Sequence, residues 1–220
     1  MLQKIFVAAL SLLSYTFAMA QTASVRIDTS AVAAPAEDEK KEPTLSITGS
    51  VDAYYRNDLS DVKTNSYTSF TPLHNSFALG MASIKFEHKG KKVTAVADLG
   101  FGPRARDFSY TDDGITQAIK QAYVSYAPAD WVKFTMGTWG THVGYELLDP
   151  QLNRNYTMSY MFTNGPFSHT GFKAEFTKGK SGFMIGVANP TDYRIPPEDL
   201  INKKALLAQY SFAATDNIKL

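Results

Sequence analysis

The stretch LSITGSVDAYYR, residues 45–56, alternates between apolar and polar positions along its whole length. Successive side chains of a β-strand point to opposite faces, so this stretch predicts a strand with one apolar face and one polar face. The alternation returns in segments near residues 75–88, 93–101, 121–126, 131–136, 170–176, 183–187 and 206–212. The sequence therefore predicts an all-β fold with about eight complete strands.

The segment 75–88 departs from the simple pattern. Ile84 and Phe86 mark one face, whereas Phe77, Leu79 and Met81 have the opposite parity. A β-bulge shifts the parity of a strand, and an inner face that is partly apolar would also explain the pattern. The sequence leaves both explanations open.

The predicted connections alternate between short and long. Tight turns are expected at 88–92, 127–130, 178–181 and 214–217, and long loops at about 57–74, 102–114, 140–166 and 190–203. Outer-membrane barrels have short periplasmic turns at one end and long external loops at the other. The alternation therefore favours an antiparallel up-and-down transmembrane β-barrel over a soluble sandwich.

The first 43 residues predict two segments that precede the barrel. Lys4, an apolar run at 5–13 and the Ala18-Met19-Ala20 site indicate a cleaved signal peptide at 1–20, and the Ala-, Pro- and charge-rich segment 21–43 indicates a disordered lead-in. The barrel domain is then expected at 44–220. A ninth strand is expected to begin at 218–220, which favours the N-terminal portion of a barrel of about 16 strands. A closed eight-stranded barrel with a short tail is the alternative.

Composition argues against several other classes of protein. The chain has no cysteine, and its 22 Lys and Arg balance 21 Asp and Glu. No disulfide framework or lipid-modified cysteine is therefore expected, and no long-range attraction to nucleic acid. Motifs for nucleophilic catalysis, metalloprotease activity and phosphate binding are not found, so neither an enzyme nor a cofactor or metal site is predicted.

Charged residues on the polar face are candidates for the lining of a pore. Asp98 precedes a loop with Arg104 and Arg106, and the other candidates on strands are Lys133, Lys173 and Glu175. Charges that face a water-filled lumen select among ions and polar solutes. The two arginines reach the lumen only if their loop bends inward, and a solvated external loop is the alternative.

The long connection that begins at Gly140 is the candidate constriction loop. It carries His142, Glu146, Asp149 and Arg154 among many aromatic residues, so it is able to pack. Loops of this length in folded proteins are usually functional or disordered. An extracellular cap that rests on the rim of the barrel is the other interpretation.

Three aromatic residues are candidates for the lipid interface. Trp131 begins a strand beside a tight turn, and Tyr123 and Tyr126 lie near the end of the preceding strand. Aromatic rings are enriched at the headgroup level of the membrane. A packing cluster at the end of the sheet is the alternative.

Four stretches carry a resemblance to a known family. They are DLGFGPRA at 98–105, QAYVSY at 121–126, GTWGTHVGYE at 137–146 and FTNGP at 162–166. Together they resemble the OmpL-like putative β-barrel porins of Bacteroidota, over residues 44–220. The resemblance implies a general-diffusion channel without a defined substrate.

The sequence therefore predicts a porin in the bacterial outer membrane, with lipid and small polar solutes or ions as its partners and a homo-oligomer left open. A structural or adhesive barrel with a plugged lumen is the main alternative. An outer-membrane hydrolase and a soluble secreted β-domain are further alternatives.

Overall fold

The computed structural model describes residues 43–60, 69–215 and 218. The predicted signal peptide lies outside the described residues, as does the predicted lead-in except for Pro43. Within the described ranges, no helix has the length and apolar character that crossing a membrane requires.

Eight strands form one antiparallel sheet, and each strand pairs with the next along the chain. They are β1 (Thr44–Arg56), β2 (Ser76–Lys89), β3 (Val93–Phe101), β4 (Ile119–Ala129), β5 (Val132–Gly140), β6 (Ser168–Lys178), β7 (Ser181–Ala188) and β8 (Ala205–Phe212). The predicted all-β, up-and-down architecture is confirmed. The sheet is not closed, because among the described residues β1 pairs only with β2 and β8 only with β7.

Short helices interrupt the long loops. Helix α1 (Pro103–Phe108) follows β3, and helix α2 (Tyr160–Thr163) precedes β6. Single turns of 3-10 helix lie at Gly114–Ala118 and Pro150–Leu152. The predicted alternation of connections is present among the described residues: the long connections contain 57–60 with 69–75, 102–118, 141–167 and 189–204, whereas 90–92, 130–131 and 179–180 form short turns. The predicted turn at 214–217 lies partly outside the described residues.

The two faces of the sheet differ in polarity. One face carries exposed apolar side chains, among them Leu45, Ile47, Val124, Met136, Ile185 and Leu206. The opposite face carries hydroxyl pairs between neighbouring strands, such as Ser50 with Ser83 and Ser125 with Thr135, each at 2.8 Å. We call the polar face the inner face, because the long loops pack against it, and the apolar face the outer face.

A β-bulge explains the irregular pattern of β2. The register of β1 and β2 shifts between Asp52 and Ala53, which leaves Gly80 as the extra residue of β2. Phe77 and Leu79 pair with outer-face residues before the bulge. Met81, directly after it, pairs with Asp52 and is fully buried on the inner face. The bulge therefore explains the change of parity at Gly80, and a partly apolar inner face explains Met81.

A second bulge, at Lys120 in β4, turns a cation toward the inner face. The register of β3 and β4 shifts between Asp98 and Leu99, so that Asp98 pairs with Gln121 and Leu99 pairs with Ile119. Bulges redirect side chains and increase the local twist of a sheet. This bulge brings Lys120 to Asp98, which is the starting point of the candidate site.

Candidate functional site

The loop at 141–167 lies against the inner face of the sheet. Asp149 Oδ1 is 2.6 Å from the Lys120 ammonium on β4, and the hydroxyl of Tyr156 donates a hydrogen bond to the carboxylate of Asp52 on β1. Two contacts with widely separated strands hold the loop across this face. We call it the inner loop.

Internal contacts give the inner loop a defined shape. Glu146 accepts hydrogen bonds from the backbone N–H and the hydroxyl of Ser159, and the hydroxyl oxygen of Ser159 in turn accepts one from the N–H of Phe162 in α2. Asn153 binds both the N–H and the carbonyl of Leu147. Glu146 is buried, so its carboxylate holds the loop together instead of facing a passage.

The loop at 102–118 contributes Arg104 to the same inner region. Helix α1 turns inward at Gly102, whose φ of +118° is a conformation that residues with a Cβ rarely adopt. The Arg104 side chain is fully buried, with its guanidinium carbon 5.0 Å from the Phe70 ring and 4.8 Å from the Tyr156 ring. Its Nε lies 3.9 Å from Asp52 Oδ2.

The two arginines of this loop therefore have different positions. Arg104 is enclosed by protein, whereas the side chain of Arg106 is exposed and lies 3.8 Å from the Asp107 carboxylate. The sequence had placed both guanidinium groups together, at the lumen or outside it. The helical turn of α1 separates them, because residues two apart in a helix point in different directions.

A shared apolar core joins the loops to the sheet. It consists of Phe70, Met81, Ala105, Phe108, Leu148, Met158, Phe162 and Phe167, and we call it the loop core. The ring of Phe167 packs within 6.2 Å, centroid to centroid, of Phe70, Phe108, Tyr110 and Phe162. Three separate connections thus bury apolar side chains together over the inner face.

The loop at 189–204 is joined to the others by polar contacts. Asp192 accepts hydrogen bonds from the N–H groups of Phe167 and Ser168, at 2.6 and 2.8 Å, and from the hydroxyl of Tyr110 at 3.0 Å. Arg194 forms a buried ion pair with Asp112. Burial and the neighbouring Asp192 carboxylate raise the pKa of Tyr110 to about 12, which keeps its hydroxyl a donor at neutral pH.

An ion cluster with excess negative charge lies on the inner face of β3 and β4. The Lys120 ammonium is 3.1 Å from Asp98 Oδ1 as well as 2.6 Å from Asp149 Oδ1, and Gln121 donates a hydrogen bond to Asp98. We call Asp98, Lys120 and Asp149 the acidic cluster. Its formal charge of one cation and two anions is about −1.

A second ion cluster, with excess positive charge, lies on the inner face of β5 and β6. Glu175 stands between Lys133, at 3.1 Å, and Lys173, at 3.4 Å. We call these three residues the basic ladder. The ammonium of Lys173 also lies 5.2 Å from the centre of the Trp139 ring, and the His142 ring lies 5.1 Å from that of His169.

The remaining predicted site residues are spread over both faces and a loop. Trp131 and Tyr126 are exposed, and Trp131 stacks on Phe176 with ring centroids 6.3 Å apart. Tyr123 has the opposite parity on β4 and packs on the inner face against a cluster that contains Trp139. Arg154 is exposed on the inner loop. Of the three aromatics predicted at the lipid interface, Tyr123 therefore differs in position from the other two.

Several residues that organise this region were missed from the sequence. Asp52 and Lys120 lie on strands, and strand parity places Asp52 on the polar face of the first strand without giving it a partner. Tyr156, Asp192 and Arg194 lie in loops, where no periodic signal exists. Their roles depend on partners in distant segments, and Tyr156 and Asp52 are 104 residues apart.

Comparisons with known proteins agree with this architecture. A search among curated proteins gave no match. The model of the family described as putative beta-barrel porin-2, OmpL-like, matches residues 44–220. Since the match covers most of the chain, the protein belongs to this family of outer-membrane β-barrel porins.

Proposed function

We propose that the protein is a passive-diffusion pore, in which small hydrophilic solutes cross the outer membrane through a water-filled lumen along the inner face. The distribution of polarity carries this proposal. The apolar side chains of the outer face are exposed, whereas the ion pairs of β5 and β6 and the hydroxyl pair of Ser125 with Thr135 lie on the inner face. Hydroxyl pairs on the outer face, Thr138 with Thr170 and Ser181 with Tyr210, lie near the ends of their strands. A barrel wall has lipid on its outer side and water on its inner side, which accounts for the polarity of the two faces.

The inner loop is the proposed constriction. It reaches from the acidic cluster to Asp52, and its own hydrogen bonds keep it folded. Because these contacts fix its shape, the loop would narrow the passage to a constant width. Selection among solutes would then come from size and from weak electrostatic preference.

The predicted pore residues take different roles in this proposal. Lys133, Lys173 and Glu175 line the wall, and Asp98 lines it as part of the acidic cluster. Arg104 and Glu146 hold loops in place, and His142 lies where the inner loop leaves β5. Arg106 and Arg154 stand on exposed loop surfaces, where they would meet a solute before it enters.

The environment of the barrel follows from the same proposal. The segment 1–20 is the proposed export signal, and 21–43 is a lead-in to the barrel domain. Lipid contacts the outer face, and Trp131 and Tyr126 lie at its interface near the short turns. Transport, and not catalysis, is the proposed activity.

Conductance in planar lipid bilayers tests the proposal directly. The purified, folded protein should give stepwise conductance in KCl, and proteoliposomes that contain it should swell in small sugars but not in large ones. Folding is checked by compact migration on unheated SDS gels. Folded protein that gives neither conductance nor swelling would contradict the pore.

A structural or adhesive barrel with a plugged lumen is the second candidate function. The observation in its favour is the loop core together with the buried Arg194–Asp112 ion pair, which pack four loops into one unit. A plugged barrel would admit no sugar of any size. The sugar-size series therefore distinguishes the two functions. A pore admits sugars up to a size limit, whereas a plugged barrel causes no swelling with any sugar.

A further inference from the structure

Three glycines surround Lys173 on the inner face of the sheet. Gly137 of β5 pairs directly with Gly171 of β6, and Gly186 of β7 pairs with Lys173 itself. A Cβ at Gly137 would lie 2.2 Å from the carbonyl oxygen of Ala122, and a Cβ at Gly171 would lie 2.1 Å from that of Val187. Neighbouring strands approach closely here, and because glycine has no side chain, half-buried backbone lines the inner face beside Lys173. We call this patch without side chains the depression.

The side chains around this depression are mainly hydrogen-bond donors. The Lys173 ammonium lies over the Trp139 ring, and Trp139 pairs in register with His169. His142 packs against His169. The neighbouring carboxylate, Glu175, is shared between Lys173 and Lys133, so the basic ladder keeps a net charge of about +1.

Two of these polar groups have no partner in the part of the chain that the structure describes. Trp139 is only 4% exposed, yet its Nε1–H makes no hydrogen bond, and the Nδ1 of His142 also makes none. An indole N–H can only donate. Whatever satisfies it must therefore supply an acceptor atom, beside the Lys173 ammonium.

The imidazole of His142 is uncharged at neutral pH. Burial, with a smaller effect of the Lys173 charge, lowers the pKa of His142 below its usual value. A neutral imidazole has one donor and one acceptor nitrogen, so His142 donates to a bound oxyanion in the tautomer that carries the proton on Nδ1. The acidic cluster does not supply the acceptor, because both of its carboxylates are engaged by Lys120.

We propose that this depression, formed by Trp139, His142, His169 and Lys173 over the three glycines, binds the oxyanion group of a small solute. A carboxylate or phosphate oxygen meets the three requirements of the depression: it accepts from an indole N–H, it pairs with an ammonium, and it fits against exposed backbone. The inference deepens the proposed pore function, since it names small oxyanions as solutes that the pore prefers.

Fluorescence of Trp139 tests binding without any need for conductance. The sequence up to residue 220 has two tryptophans, so Trp131→Phe leaves Trp139 as the reporter in this region. Titration of the folded protein with inorganic phosphate should change the emission saturably, whereas KCl at equal ionic strength should not. Acetate in place of phosphate distinguishes carboxylate binding from phosphate binding.

Two lysines of the basic ladder provide a matched pair of variants. Lys173→Gln and Lys133→Gln remove the same charge next to the same Glu175, but only Lys173 contacts Trp139. Loss of a charge-assisted hydrogen bond should weaken apparent phosphate affinity about tenfold in Lys173→Gln. Lys133→Gln lowers the net charge of the basic ladder but removes no contact with Trp139, so it should weaken apparent phosphate affinity by less than about threefold.

The same variants are then measured in planar bilayers, together with Trp139→Phe, which keeps an aromatic ring but removes the N–H. Phosphate should reduce the chloride current of the parent protein saturably, and both Lys173→Gln and Trp139→Phe should lose this effect. An emission that does not saturate, or equal phosphate affinity in Lys173→Gln and Lys133→Gln, would overturn the oxyanion site. Phosphate binding without any conductance would instead overturn the pore and leave the site standing.

Discussion

At the scale of single residues, Arg104 joins three separate segments of the chain. Its guanidinium lies between the Phe70 and Tyr156 rings and beside Asp52, and it donates to the carbonyl of Tyr156 at 3.4 Å. Two of its nitrogens make no hydrogen bond within the described residues. A buried cation that is only partly hydrogen-bonded is held in place by its carboxylate and its aromatic neighbours.

Arg104→Ala should therefore destabilise the protein more than a surface substitution does. Removing one partner of a buried ion pair leaves the other uncompensated, which costs about 3 kcal/mol of the free energy of unfolding. Arg106→Ala, two residues away and exposed, should change it by less than about 0.5 kcal/mol. Unfolding in urea, followed in lipid vesicles, measures both. Equal values would show that Arg104 does not hold the loops.

Gly102 gives a second test at this scale. Its backbone, at φ +118° and ψ −178°, lies in a region that is essentially restricted to glycine, and an added Cβ would lie 2.9 Å from the carbonyl oxygen of Gly80. Gly102→Ala should cost about 1–3 kcal/mol of the free energy of unfolding. Gly114→Asn is the control, because Gly114 has φ +58° and a Cβ added there would have no neighbour within 4 Å among the described residues. A control as damaging as Gly102→Ala would refute the explanation.

Among the elements, the inner loop is the one whose position bears most directly on function. Its anchors, Asp149 and Tyr156, are side chains, whereas the strands are held by backbone hydrogen bonds. Burial and the hydrogen bond to Asp52 raise the pKa of Tyr156 to about 12, so the anchoring hydroxyl stays protonated over the physiological range. Substitution of these two side chains therefore removes the polar anchors of the loop and leaves its contribution to the loop core in place.

The double variant Asp149→Ala, Tyr156→Phe should loosen the inner loop where it crosses the sheet. If this loop narrows the passage, the mean single-channel conductance should rise by roughly half, with more frequent fluctuations. Arg154→Ala, in the same loop but exposed, is the control and should conduct like the parent protein. A double variant with unchanged conductance would mean that the loop does not limit the current.

The strands were predictable from the sequence, and the contacts between loops were not. Alternation in 45–56 and the alternating lengths of the connections follow from local geometry, so they predict strands, faces and topology. At β2 the parity change was visible, but its cause at Gly80 required the register with β1. Asp98 was marked as a pore residue, yet its partner Lys120 was not, because a bulge places Lys120 on the inner face. Loop residues such as Asp192 follow no period, and their partners are set by the folded chain.

At the scale of the whole molecule, the sheet separates two environments. Apolar side chains cover the outer face, and charged clusters of opposite net sign occupy neighbouring parts of the inner face. The same residue type should therefore have different effects when it is introduced on the two faces. On the outer face it should change the stability of the protein, and on the inner face it should change the conductance.

Arginine substitutions at Met136 and Thr94 test this separation. Met136 is 70% exposed near the middle of the outer face, where an arginine in lipid costs about 2–4 kcal/mol. Thr94 lies on the inner face, paired with Ser125, so Thr94→Arg should fold and shift ion selectivity toward anions. Unfolding in urea and reversal potentials across a KCl gradient measure the two effects. Similar destabilisation by both substitutions would contradict the assignment of the faces.

The shared loop core has an evolutionary consequence. Because Phe167 touches aromatic residues from three connections, a change in one of them alters the surroundings of the others. Variation in these connections is therefore expected to be coupled. Tolerated substitutions should therefore concentrate at exposed positions outside the loop core, such as Tyr145 and Met161. Substitutions there change the chemistry of the loop surface and leave the packing of the loop core unchanged.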